Sequence, residues 1–216
     1  KIFSYNIKNN VVIDDTDTSI LASDVLNYVG KNLHEREKLV LRALAESLGS
    51  ESEEDFAEIL RTEINYKNFK KAIKSLRKLN LIIQKRGTVY IELHPLVKEF
   101  IRYNYISEER NVYISLLINY YDKMVVILKP RLNDKLTYDE LKSFTNKIEL
   151  SINAKKYNDA IGHLLEIMTA MTNAGYIEEY LRVSKLLFDS ITWKRKTILE
   201  YPQFDILFIF ITGVSF

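Results

Sequence analysis

The fold is decided by residues 81–93, which read Leu81-Ile82-Ile83-Gln84-Lys85-Arg86-Gly87-Thr88-Val89-Tyr90-Ile91-Glu92-Leu93. Two runs rich in β-branched residues, 81–84 and 89–93, flank a polar segment that contains Gly87. A glycine between two β-favouring runs is typical of the turn of a β-hairpin. The stretch therefore predicts a two-stranded hairpin in a chain whose apolar residues otherwise recur at helical spacing.

Helices are predicted on both sides of this hairpin. Apolar residues recur at helical spacing in 35–48, 53–61 and 66–79, and Asn65 is a good N-cap for the last of these. Pro95 suits the first turn of a further helix after the hairpin. Upstream, 20–29 is predicted to be helical, and the polar run 14–19 is predicted to be a solvated turn rather than a cation site. Three helices, a hairpin and a closing helix form the pattern of a winged-helix domain.

From about residue 107 the sequence predicts helices throughout. The segments 108–128, 138–153, 158–173 and 176–191 are joined by short connections, which place neighbouring helices antiparallel. Residues 155–160 resemble the turn of a tetratricopeptide repeat. The predicted fold class is thus mainly α. A winged-helix domain of three to four helices plus a β-hairpin wing, with an N-terminal extension, occupies 1–106, and tetratricopeptide-like antiparallel helical hairpins, truncated at the C-terminus, occupy 107–216.

Composition indicates a folded protein and narrows its setting. The chain has 216 residues, 47% of them hydrophobic and 28% charged, and it contains no cysteine. The lack of cysteine excludes disulfides and thiolate chemistry and fits a reducing compartment, so we expect a cytoplasmic protein. We expect no membrane association, because the longest apolar run, 204–216, is shorter than the roughly 20 residues of a membrane span. A formal net charge of +2 does not point to any partner.

The motifs of common enzymes are absent from the sequence. Its three histidines, His34, His94 and His163, do not have metal-ligand spacing with one another or with carboxylates. The sequence has neither a Gly-x-Ser-x-Gly element nor a Gly-rich phosphate loop. We therefore predict that the chain is not an enzyme, with no catalytic residue, no metal ligand and no cofactor of its own.

The most specific motif directly follows the hairpin. Residues 93–102, Leu-His-Pro-Leu-Val-Lys-Glu-Phe-Ile-Arg, resemble the start of the last winged-domain helix in signal-transducing ATPases, a family that includes apoptosome scaffolds, plant disease-resistance proteins and some bacterial transcription activators. Segments 35–45 and 72–82 are similar to the first winged-domain helix of that family and to the segment before its hairpin. The resemblance covers about residues 20–104. The chain has no nucleotide-binding module of this family.

This resemblance implies a role for one imidazole. In the family the corresponding histidine contacts the terminal phosphate of ADP bound to a preceding nucleotide-binding module, so His94 is a nucleotide-sensing candidate only beside such a module. ATP or ADP would then belong to the full-length parent. Pro95 departs from the aspartate of the animal and plant members. The alternative is that His94 only caps the following helix.

The resemblance also implies the leading function. We expect a non-catalytic regulatory and protein-interaction fragment of a multidomain signalling ATPase. Its winged helix would dock on the adjacent nucleotide-binding module, and its helical repeats would sense a protein partner. A plain interaction scaffold is a further alternative.

A basic helix supports a different function. Between residues 66 and 86 there are eight Lys or Arg residues and no acid. They are Lys67, Lys70, Lys71, Lys74, Arg77 and Lys78 on the helix and Lys85 and Arg86 in the hairpin turn. Winged-helix proteins contact DNA with these elements. Because lysine dominates, contacts with phosphates are favoured over base reading. The alternative function is a DNA-binding transcription regulator with a helical effector or dimerisation domain, and the opposing interpretation is a solvated helix face.

Overall fold

The computed structural model describes residues 31–84, 88–132, 136–192, 201 and 203. This part of the chain is mainly helical and contains one small antiparallel sheet. The predictions for 14–19, 20–29 and 204–216 lie outside the described residues. The prediction of a mainly α fold is confirmed.

The first half runs from a helix through a strand and two helices to a hairpin and a closing helix. Its elements are α1 (Glu35–Glu46), β1 (Glu51–Ser52), α2 (Glu53–Ile59), α3 (Tyr66–Lys78), β2 (Ile82–Gln84), β3 (Tyr90–Leu93) and α4 (Pro95–Asn104). The second half comprises α5 (Ser107–Leu128), a 3-10 turn (Lys129–Arg131), α6 (Tyr138–Asn153), α7 (Tyr157–Asn173) and α8 (Ile177–Ser190). The predicted helix ends lie within about two residues of these bounds, which is the usual uncertainty of a helix end.

The strands of the predicted hairpin are confirmed, but the sheet is larger than a hairpin. β2 and β3 pair antiparallel, with Ile82 opposite Leu93 and Gln84 opposite Ile91. β1 pairs with the other edge of β3, with Glu51 opposite Ile91, so the strand order is β1-β3-β2. The expectation of a two-stranded ribbon is therefore wrong. A Glu-Ser dipeptide has no β-propensity, and only its pairing with a distant strand makes it part of a sheet.

α3 is formed and ended by local signals. The Asn65 side chain accepts a hydrogen bond from the backbone nitrogen of Asn68 at 3.0 Å and so caps the helix start. The buried side chains are Phe69, Ala72, Ile73 and Leu76. At the other end Asn80 has a φ of 58°, and the Leu81 nitrogen donates to the Leu76 carbonyl at 3.1 Å. This is a Schellman motif, in which one left-handed residue turns the chain out of the helix and into β2.

The described residues form two hydrophobic cores, and α5 contributes to both. The first lies between α1, α2, α3, α4 and the sheet, and it includes Ile114, Leu117, Ile118 and Tyr121 of α5. The second begins at Val125, near the end of α5, and continues through α6, α7 and α8. Tyr113, Leu116 and Tyr120 of α5 are partly buried and pack against the first core. The long helix thus runs from one core into the next.

The helices of the second half are joined by two turns of the same form. Lys155, with a φ of 60°, separates α6 from α7, and Gly175, with a φ of 81°, separates α7 from α8. Each turn closes with a bond from the next residue back to the helix, Lys156 to Ser151 at 2.8 Å and Tyr176 to Met171 at 2.9 Å. α6, α7 and α8 contact one another in every pair. In each turn one residue with a left-handed backbone conformation reverses the chain, so that consecutive helices pack against each other.

Candidate functional site

His94 occupies the surface between the hairpin and α4. Its backbone nitrogen donates to the Leu81 carbonyl at 3.2 Å, and its carbonyl accepts from Val97 at 2.9 Å and from Lys98 at 3.0 Å. The side chain makes no capping hydrogen bond, and the residue is exposed. Pro95 and Leu96 next to it are also exposed, Leu96 to 56%. His94 thus holds the N-cap position through its backbone, and its imidazole faces solvent beside a small apolar surface.

The lysines of α3 fall into two sets. Lys67, Lys71, Lys74 and Lys78 are all exposed, and their spacing of four, three and four residues places them on one side of the helix. At about 100° per residue they lie within an arc of about 60°, opposite the buried stripe of Phe69, Ala72, Ile73 and Leu76. We call these four residues the lysine stripe.

Lys70 and Arg77 form the second set, on the flank of α3 that faces α2. Arg77 Nη2 lies 2.5 Å from Glu53 Oε2, and Lys70 Nζ forms an ion pair with Oε1 of the same carboxylate. Glu53 is partly buried, which raises its pKa, but the hydrogen bonds from Lys70 and Arg77 outweigh burial and hold the pKa below its usual value. Two of the six predicted DNA-binding cations on α3 are therefore already engaged within the protein.

The turn residues Lys85 and Arg86 lie outside the described residues. Of the eight predicted DNA-binding residues, the structure describes the six cations of α3, which all lie on that one helix. His94 lies at the start of another helix, α4, beyond the hairpin.

Three further cations lie at the C-terminal end of α1. Lys98 Nζ donates to the Ser47 carbonyl at 2.6 Å, and Arg102 Nε donates to the Ala45 carbonyl at 2.7 Å. Arg110 forms two bonds with the buried Glu46 carboxylate, at 2.7 and 3.0 Å. Hydrogen-bond donors at a helix C-terminus satisfy its free carbonyls, and cations there interact favourably with the helix dipole. This group holds α4 and α5 against α1, and sequence periodicity gave no sign of it.

A buried carboxyl group joins the two halves. The Tyr121 hydroxyl lies 3.1 and 3.3 Å from the two oxygens of Glu51 and accepts a bond of 2.9 Å from the Asn146 amide. Burial raises the pKa of Glu51 to about 7, and the hydrogen bond from Tyr121 only partly opposes this. Next to it, Tyr120 donates to Asp55 at 2.8 Å. Glu51 is buried against α5, so its hydrogen bond with Tyr121 connects β1 to α5.

An open depression lies beside the α7–α8 turn. Tyr138, Tyr176 and Arg182 contribute to its lining, and the two tyrosine rings meet edge to face with centroids 5.4 Å apart. Arg182 pairs with Glu179 at 2.7 Å and also with Glu149 of α6. Arg182 donates hydrogen bonds to these carboxylates, and these bonds raise the pKa of its guanidinium. The depression offers two aromatic rings next to an arginine that is already paired with two carboxylates.

The described segments show neither a metal-binding cluster nor a membrane-spanning helix. In 31–84, 88–132 and 136–192, no group of three or more His, Asp or Glu side chains is arranged to hold a metal ion. None of the helices in these segments combines the length and the apolar character needed to cross a bilayer. The chain matches no protein-family model, no curated protein and no solved structure.

Proposed function

We propose that the chain is a non-catalytic regulatory and protein-interaction module of a larger cytoplasmic signalling ATPase. Its first half is a winged-helix domain that docks on a neighbouring nucleotide-binding module. Its second half is a tetratricopeptide-like segment that contacts a protein partner. ATP or ADP belongs to the neighbouring module, and this chain responds to which of the two is bound.

The element order supports the winged-helix assignment. A helix, a short strand, two helices, a hairpin and a closing helix follow one another from α1 to α4. β1 joins the hairpin at β3, so the small sheet closes the end of the helical cluster. α3, which directly precedes the hairpin, buries Phe69, Ala72, Ile73 and Leu76 on one side and exposes lysines on the other. These features agree across capping, periodicity and pairing, and such agreement favours one fold over its alternatives.

The packing of the second half supports the tetratricopeptide-like assignment. In such repeats each new helix packs on both helices of the preceding hairpin, because a single hairpin cannot bury its own apolar face. α8 contacts both α6 and α7 in this way. Ala160, at the position where the repeat motif has a small residue, is fully buried in the second core. The depression at Tyr138 and Tyr176 is the surface we assign to the protein partner.

The exposed imidazole of His94 is the observation that carries this proposal. It lies at the N-terminus of α4, where the helix dipole favours an anion, and within the described residues its side chain forms no capping bond that would engage it. An imidazole can donate a hydrogen bond to a phosphate oxygen of a docked nucleotide and lose it when the modules rotate apart. The exposed Leu96 and Pro95 supply apolar area for docking.

The test compares ADP release from a protein that carries this chain after a nucleotide-binding module. His94→Ala should speed the release of a fluorescent ADP about tenfold, within the range of couplings between sites. His34→Ala is the matched control, because His34 is also an exposed histidine at a helix N-cap. Equal release from the His94 variant and the native protein would overturn the proposal, as would nucleotide hydrolysis by the 216-residue chain alone.

A further inference from the structure

The proposed regulatory function makes no use of the lysine stripe on α3. Lys67, Lys71, Lys74 and Lys78 span about 16 Å at 1.5 Å per residue. Among the described residues none of the four forms an ion pair, whereas Lys70 and Arg77 on the same helix both do. The four positive charges on one side of the helix repel one another, so their alignment does not help to stabilise the fold. Their arrangement favours an external polyanion.

We propose that the lysine stripe binds the phosphate backbone of duplex DNA, and that Glu53 withholds Lys70 and Arg77 from this contact. The stripe lies on the side of α3 opposite its buried residues, so nothing in α1 or the sheet separates it from a ligand. A duplex of B-DNA carries about one charge per 1.7 Å, or about ten over the length of the stripe. Lysine contacts phosphate as a point charge, so no base recognition is required.

Charge and shape favour DNA over an acidic protein. Protein interfaces are anchored by aromatic and apolar residues, and lysine is depleted at their centres. The half-buried positions on one side of the stripe, Asn68 and Ser75, are polar. An α-helix about 10–12 Å in diameter fits the major groove of B-DNA. The major groove of duplex RNA is too deep and narrow for it, so DNA is the favoured duplex.

Glu53 sets the number of α3 cations that can contact DNA. Its side chain is 11% exposed, while those of Lys70 and Arg77 are 48% and 33% exposed. Binding of these two cations to DNA would leave the Glu53 carboxylate partly buried without partners, which opposes the exchange. The native chain should therefore engage about four phosphates rather than six.

The experiment measures binding to a 20-base-pair DNA duplex of mixed sequence by fluorescence anisotropy between 50 and 200 mM salt. Four phosphate contacts predict a slope of log K against log salt of about −3.6, or about a 150-fold loss of affinity over this range. Replacing the four stripe lysines by alanine should reduce the slope to near zero. The matched control replaces Lys123, Lys142, Lys156 and Lys185, which are exposed in the second half and carry the same total charge; it should keep the native slope.

Two further variants test the role of Glu53. Lys70→Ala with Arg77→Ala should leave the slope unchanged, because these cations are withheld in the native chain. Glu53→Gln should release them and steepen the slope to about −5.4. A slope that falls in the first variant and does not change in the second would overturn the role of Glu53 while the stripe stands. Circular dichroism confirms that each variant is folded.

Three results would overturn the DNA surface itself. They are no binding by the native chain at 50 mM salt, equal loss in the stripe variant and its control, and tighter binding to an RNA duplex of the same sequence. The first would identify the stripe as a solvated face or as a surface for an acidic protein. None of these results bears on ADP release, so the regulatory proposal is tested separately.

Discussion

Replacing Glu51 by glutamine should make the protein more stable at pH 8 and change how its stability depends on pH. Glu51 is 9% exposed, and its carboxyl group faces the hydroxyl of Tyr121 on α5. Burial raises the pKa of Glu51 from 4.5 to about 7. Gln has nearly the same shape as the protonated acid, it can accept the hydrogen bond from Tyr121, and it carries no charge to desolvate.

The sign follows from proton linkage. Between pH 4.5 and 7 the folded state holds a proton on Glu51 that the unfolded state has lost, so the free energy of unfolding falls as pH rises. A rise of the Glu51 pKa from 4.5 to about 7 corresponds to a total loss of about 3 kcal/mol. Most of this loss falls between pH 5 and pH 8. Glutamine does not titrate, so its variant should not show this loss.

Other groups add their own pH dependence, and the comparison must remove it. Burial and the nearby Lys147 lower the pKa of His163 below 6.5. Its effect on stability has the opposite sign, since that stabilisation is present above the unfolded pKa and is lost as pH falls. Because both proteins contain His163, its contribution cancels in the difference between the native chain and Glu51→Gln.

Urea unfolding followed by circular dichroism at several pH values measures that difference. The gap between Glu51→Gln and the native chain should widen in favour of the variant by roughly 2 to 3 kcal/mol from pH 5 to pH 8. Glu54→Gln, an exposed glutamate three residues away, is the control and should follow the native curve. Parallel curves for Glu51→Gln and the native chain would refute the reasoning, and a variant less stable than native at pH 8 would show that the carboxylate is favourably paired.

Three further predictions concern the effect of single substitutions on stability. Gly175→Ala should destabilise the chain by about 1 kcal/mol in urea unfolding, because Gly175 has a φ of 81° and a Cβ there would touch nothing within 4 Å, so the cost is conformational alone. Lys155→Gly, at a φ of 60° in the matching turn, should instead stabilise it by roughly 0.5 to 1 kcal/mol, and equal signs for the two would contradict this account. Glu46→Gln should lower the free energy of unfolding by about 2 kcal/mol, because it breaks the two-bond pair between Arg110 and a carboxylate that is only 2% exposed. A loss below about 0.5 kcal/mol, which is typical of surface pairs, would refute this prediction.

The helices and the hairpin could be predicted because their signals are local. Asn65 and Pro95 each act within a few residues of their own position. β1 could not be predicted, because two residues acquire a strand conformation only by pairing with β3, about forty positions further along. The division of the two cores within α5 also depends on tertiary packing, and the predicted boundary at residue 106 stays a prediction.

The candidate site follows the same rule. The spacing of the α3 lysines and the position of His94 beside Pro95 are visible in the sequence. The pairing of Glu53 with Lys70 and Arg77 joins residues 17 and 24 positions apart, and no pattern indicates which carboxylate a given lysine will meet. The same holds for Glu51 and Tyr121, which are 70 positions apart. Charges can be counted from a sequence, but their partners depend on how helices pack.

A series of contacts connects the two halves of the protein and leads to His94. Asn146 of α6 donates to Tyr121 of α5, and Tyr121 donates to Glu51 of β1. Glu51 lies opposite Ile91 of β3, three residues before His94. If the second half senses a partner and His94 senses a nucleotide, this path can couple the two events.

A double-mutant cycle on ADP release tests that coupling. Tyr121→Phe removes the central hydroxyl and should change the release rate, because β1 loses its bond to α5. When His94→Ala is already present, the Tyr121 substitution should have little further effect, which gives a coupling of about 0.5 to 3 kcal/mol. Glu53→Gln, which alters α2 without touching this path, should add to His94→Ala with no coupling. Additive effects of Tyr121→Phe and His94→Ala would show that the contacts from α6 to β3 hold the fold together without passing a signal, because independent sites do not sense each other's loss.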